Sequence, residues 1–131
     1  MTDIKDMVMV FGSNLAGIHG AGAAAYALKH KGAVWGEGIG HHGNSYAIPT
    51  KDRKIRSMTT TPISMFVRQF LEYATAHPEL EFQVTQVGCG LAGMTPSVMA
   101  PMFKGAPKNC QFDTAWSPWL GADHHYWGHV P

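Results

Sequence analysis

Two glycine-rich turns, Gly17-Ile18-His19-Gly20-Ala21-Gly22 and Gly88-Cys89-Gly90-Leu91-Ala92-Gly93, each stand between a strand-like run and a helix-like run. A glycine turn has no side chains to hold a ligand off, so backbone N–H groups can converge on an anion while the following helix adds its positive dipole end. Two such turns in 131 residues leave room for one domain and point to one nucleotide held from both sides.

The runs around the turns set the fold class. Met7 to Phe11 is continuously apolar, as expected of a strand buried on both faces of a parallel sheet. Ala21 to Lys31 is alanine-rich and ends in Lys29, His30 and Lys31 before Gly32, which predicts a helix with a cationic last turn. Residues 32–44 read as an irregular loop, and Ser45 to Ile48 as a short strand stopped by Pro49. Thr61 and Pro62 suit an N-cap and a first helical position, and Ile63, Phe66, Val67, Phe70, Leu71 and Ala74 recur at helical spacing up to His77-Pro78. Glu81 to Val87 alternates as a strand that runs into Gly88, and Thr95-Pro96 opens a short helix reaching Phe103, with Pro101 bending or shortening it. This alternation predicts an α/β domain, a mostly parallel sheet with helices on both faces and ligands at the carboxyl ends of its strands. Residues 113–131, with Trp116, Trp119, Tyr126 and Trp127, have no clear period and are expected to pack back on the domain or form an oligomer contact.

Composition excludes several functions. No apolar run is long enough to cross a bilayer, and the polar, acidic start Met1 to Asp6 carries no secretory or transit signal, so a cytoplasmic protein is expected. The net charge is +1, and the only local basic cluster, Lys51, Arg53, Lys54 and Arg56, reads as a solvated loop rather than a nucleic-acid patch. Cys89 and Cys110 lack metal or redox spacing, and the pairs His41-His42 and His124-His125 point to opposite sides of an extended chain, so no metal is expected. A literal G-x-G-x-x-G at Gly38, Gly40 and Gly43 follows a loop and precedes a strand, the reverse of a dinucleotide fingerprint, and reads as a flap or extended loop beside the site.

Three blocks occur in one order: Asn14-Leu15-Ala16-Gly17-Ile18-His19-Gly20-Ala21-Gly22, Tyr46-Ala47-Ile48-Pro49-Thr50-Lys51 and Val87-Gly88-Cys89-Gly90-Leu91-Ala92-Gly93-Met94. Together they resemble the ligand loops of macro domains, in the branch that includes the DarG antitoxins and the terminal ADP-ribose protein glycohydrolase, over residues 7 to about 103. The resemblance implies a three-layer α/β/α domain with ADP-ribose or a related NAD-derived nucleotide in a cleft. Gly17, Ile18, His19, Gly20, Ala21 and Gly22 would wall the pyrophosphate on one side, and Gly88, Cys89, Gly90, Leu91, Ala92, Gly93 and Met94 on the other. It places Asn14 by the distal ribose; from the residues alone Asn14 reads as a turn-stabilising side chain. In that branch the lysine matching Lys51 acts in removing ADP-ribose, in the glycohydrolase by attack on the anomeric carbon, whereas the bare sequence makes Lys51 a loop lysine near a phosphate.

The chain departs from this pattern at three places. Ala92 stands where the glycohydrolase has an acidic residue, Asp52 and Glu37 being the nearest carboxylates in sequence; Phe11 replaces the first Asn of an Asn-x-x-Asn pattern; and the initial strand and aspartate turn that hold adenine in macro domains have no counterpart. The implied partners are the nucleotide and, for an enzyme, an ADP-ribosylated protein or nucleic acid, with no further cofactor. A non-catalytic reader of the nucleotide, and an assembly protein using the Trp-rich tail, remain the alternatives.

Overall fold

The computed structural model describes residues 3–129; Met1, Thr2, Val130 and Pro131, at the ends of the expected 1–131 domain, lie outside the described residues. Among the described residues six strands form one sheet, in the order β2 (Gly40–His42), β3 (Ser45–Lys51), β1 (Val8–Asn14), β4 (Phe82–Val84), β5 (Cys110–Asp113) and β6 (His125–Gly128). The central strand, β1 (Val8–Asn14), pairs in parallel with β3 (Ser45–Lys51) on one edge and β4 (Phe82–Val84) on the other, so that Val10 lies opposite both Tyr46 and Val84. β5 (Cys110–Asp113) adds in parallel to β4, and β2 (Gly40–His42) pairs antiparallel with β3.

Residue alternation along β1 separates two cores. Val8 and Val10 join Ile63, Val67, Phe70 and Ala74 of α2 (Thr60–Ala76), whereas Met9 and Phe11 join Ala24 and Ala27 of α1 (Gly22–His30). Side chains two apart on a strand share a face, so α1 covers one side of the sheet and α2 the other, a three-layer α/β/α arrangement. The α2 residues expected at helical spacing are those that meet the sheet, with Phe66 and Leu71 half-buried at its margin.

Several local expectations change. The loop expected at 32–44 contains β2, a strand too short and too rich in glycine and histidine to give a pattern. Pro49 does not stop β3. The Asn44 carbonyl accepts the Met9 N–H, so strand alternation turns Pro49 away from β1, and β2 ends opposite Ala47; the missing N–H therefore has no neighbour to disappoint. β4 ends earlier than expected because Thr85 donates both its N–H and its hydroxyl to the Val10 carbonyl, and the Val87 N–H turns back to Thr85. Thr59 rather than Thr61 is the N-cap of α2, and α3 (Pro96–Met99) tightens into a 3-10 turn over Ala100–Phe103, as Pro101 suggested.

The aromatic segment is part of the sheet. After a 3-10 turn at Thr114–Trp116 and the short helix α4 (Ser117–Leu120), the chain forms β6 (His125–Gly128), parallel to β5. Trp116 is fully buried with its ring centroid 5.3 Å from that of Phe103, and the Trp127 indole N–H donates to the Val84 carbonyl at 3.0 Å. Among the described residues no helix is long and apolar enough to cross a membrane.

Trp116→Ala should therefore lower the unfolding free energy by about 3–5 kcal/mol in urea titration, as for other buried aromatics. An unchanged midpoint would mean that the tail contributes nothing to the core.

Candidate functional site

A cleft of ≈ 570 Å³ opens at the carboxyl ends of β1, β3 and β4. One wall is Ile18 and Gly20 to Ala24, the other Gly88 to Ala92, with Thr50 and Lys51 at the end of β3 and Thr85 and Gln86 after β4. The two glycine turns and the Pro-Thr-Lys segment, separated in sequence, thus meet in one place.

Within the first turn, the residues divide between those that line the cleft and those that shape it. Asn14 lines it, yet its amide brackets the backbone of Ile18: Nδ2 donates to the Ile18 carbonyl at 2.8 Å and Oδ1 accepts the Ile18 N–H at 3.0 Å. That is the turn-stabilising role. Gly17 lies behind the cleft with φ +70°, where a Cβ would sit 2.2 Å from the Gly36 carbonyl carbon, and a Cβ on Gly38 would sit 1.9 Å from the Asn14 carbonyl oxygen. Residues 36–38 are therefore wedged beneath the first turn, and Ser13 Oγ donates to Gly38 O. His19 is also behind the wall, 1% exposed; its Nε2 donates to the Glu37 carbonyl at 3.1 Å, and its edge meets Phe11.

What the first turn offers the cleft is backbone. The N-cap of α1 is Ala21, which has no capping side chain, and the first turn of the helix has no acidic residue. The first backbone bond into the helix runs from the Ala25 N–H to the Ala21 carbonyl, leaving the N–H groups of Gly20, Ala21, Gly22, Ala23 and Ala24 without an acceptor among the described residues. The second turn does the same. Cys89, Gly93 and Met94 use their N–H groups to close it, on the carbonyls of Gln86, Gly90 and Gly88, while those of Gly90, Leu91 and Ala92 take no acceptor among the described residues. Gly93 and Met94 consequently shape the turn without lining the cleft. Cys89 lines it half-buried, and burial raises its thiol pKa, only partly offset by the Trp116 indole.

Among the described residues Lys51 is the one charged residue that lines the cleft, and it forms no ion pair with any of them. Neither carboxylate considered for acid–base work reaches it. Asp52 accepts the N–H groups of Lys54 at 2.8 Å and Arg56 at 3.0 Å, and the Arg56 N–H foremost holds its carboxyl below the usual range. Asp52 thereby folds a lip over 52–57 in which Ile55 adopts φ +63°, a strained value for a β-branched residue. Ser57 Oγ ties the lip to the second turn by donating to the Ala92 carbonyl at 2.6 Å. Glu37 sits beneath the first turn beside His42, 3.8 Å away, with its side chain largely in solvent.

Gly12, Ser13, Thr50, Ile55, Thr85 and Gln86 complete the lining, and neither they nor Ala23 and Ala24 stood out as site residues in the sequence. Thr50 and Thr85 follow alternating strand residues and gave no separate signal; Ile55 reaches the cleft only through the strained lip. Among the described residues no group of three or more His, Cys, Asp or Glu is placed to hold a metal ion. Comparison with family models, curated proteins and solved structures finds no match to this chain.

The two kinds of glycine separate experimentally. Gly17→Ala should destabilise the protein by about 1–3 kcal/mol through backbone clash and an unfavourable φ. Gly20→Ala, with no neighbouring atom within 4 Å of the added Cβ, should stay within about 0.5 kcal/mol of the parent in thermal unfolding.

Proposed function

We propose that this protein binds ADP-ribose or a related NAD-derived nucleotide, with the pyrophosphate held between the two glycine turns. The observation that carries this reading is the pair of unpaired N–H sets, Gly20 to Ala24 and Gly90 to Ala92, on opposite walls of a cleft that, among the described residues, is lined by one lysine and no carboxylate. Successive backbone donors and a helix N-terminus suit a group whose charge is spread over several oxygens. The order of the three motif blocks, which resembles that of macro domains, supports ADP-ribose over other diphosphates.

Lys51, the only basic residue lining the cleft among the described residues, is assigned to a ligand oxygen. The glycohydrolase alternative draws on the same residue: an unpaired lysine lining the cleft is the feature a nucleophilic mechanism needs, and the absence of a lining carboxylate is what weighs against it. Release of ADP-ribose from a modified protein or nucleic acid would be the reaction.

Calorimetric titration is expected to give a micromolar Kd for ADP-ribose and much weaker binding of AMP, with Lys51→Ala weakening ADP-ribose about tenfold. No heat with ADP-ribose overturns the reading. Turnover of an ADP-ribosylated substrate by the parent protein, lost in a Lys51→Ala variant that still binds, would make the protein an enzyme.

A further inference from the structure

Gln86 lines the cleft just ahead of the second turn, and its side-chain amide is tied to Asp113. Its Nε2 donates to Asp113 Oδ2 at 3.4 Å, while the other oxygen of this buried carboxylate accepts the Ala115 N–H at 2.9 Å and His129 Nδ1 at 2.8 Å. Asp113 is thus fixed by the turn that follows β5 and by the residue that follows β6. A carboxylate offers only acceptors, so the amide must present its NH2 end to Asp113; the reversed amide would oppose two oxygens. Gln86 Oε1 takes no hydrogen bond from any described residue, so this cleft-lining residue keeps a free carbonyl acceptor.

The two turns present N–H groups, and Lys51 presents an ammonium, all suited to phosphate oxygens. A side-chain carbonyl, which can only accept, is the opposite chemistry. It repels phosphate and rewards a group carrying a proton, so phosphate binding gives no reason for it.

We propose that Gln86 is a specificity-determining residue that accepts a hydrogen bond from a donor outside the ligand's pyrophosphate, a sugar hydroxyl or a base amine, with Asp113 as its positioning residue. This rests on the two-turn reading of the cleft and adds to it a selection against ligands that are phosphate alone. Sites built to hydrogen-bond a ligand donor discriminate strongly against analogues that lack it.

The test compares ADP-ribose, its inosine analogue and inorganic pyrophosphate on the parent protein, on Gln86→Met and on Asp113→Asn, with thermal unfolding to verify folding. Gln86→Met is expected to weaken ADP-ribose about tenfold and pyrophosphate less than twofold. Asp113→Asn, which removes the demand on amide orientation, should lose part of the same discrimination. If Gln86→Met weakens the inosine analogue as it does ADP-ribose, the donor is a sugar hydroxyl; if the inosine analogue already binds the parent as weakly as ADP-ribose binds the variant, the donor is the base amine. Equal effects of Gln86→Met on ADP-ribose and pyrophosphate, or none on either, overturn the role of Gln86 and leave the two-turn site standing. Failure of the parent protein to bind either compound overturns both.

Discussion

Parallel pairing of β1 with β3 on one edge and β4 on the other is the constraint on which the cleft depends. Parallel neighbours deliver their carboxyl ends to the same side of the sheet, so three segments far apart in sequence leave it together: the first glycine turn after β1, Lys51 from β3, and the second glycine turn after β4. An antiparallel partner at either position would send one of these walls to the other end. The pairing is secured on both faces, because Val8 and Val10 pack under α2 while Met9 and Phe11 pack against the α1 layer. The apolar continuity of β1 is therefore a property of the site as much as of the core.

Each wall is then made rigid by contacts that do not themselves face a ligand. Asn14 clamps Ile18, residues 36–38 fill the space behind Gly17, and Asp52 folds the lip that Ser57 fastens to Ala92. Held this way, the backbone donors of the proposed site would need little reorganisation to meet an anion, so binding would rest on orientation rather than net charge. The overall charge of +1 is consistent with that division of labour.

The parts of the fold legible in the sequence were those with long or doubly constrained patterns. β1 is apolar at consecutive positions, and α2 repeats its core residues over four turns, so neither has a competing reading. β2, β5 and β6 are three or four residues long and contain glycine, histidine, glutamine or aspartate; their strand state comes from neighbours rather than from local preference. The aromatic tail showed no period because it alternates between short turns, helix α4 and one strand, and its fully buried tryptophan, Trp116, packs against Phe103 and Phe112 from earlier in the chain.

The site divides on the same principle. Glycine turns between a strand and a helix are a local signal, and both turns do line one cleft. Which members of a turn face the ligand is set by three-dimensional packing, so Gly17, His19, Gly93 and Met94 could not be told from Gly20 or Gly90 by composition. Gln86 was invisible for a related reason, since its orientation depends on Asp113, 27 residues later.

The most direct measurement is a ¹H–¹⁵N amide titration with ADP-ribose, following every backbone N–H. Saturating shifts with one common Kd at both Gly20 to Ala24 and Gly90 to Ala92 are expected of a pyrophosphate held between the turns. Shifts confined to a single turn, or none at either, would contradict it.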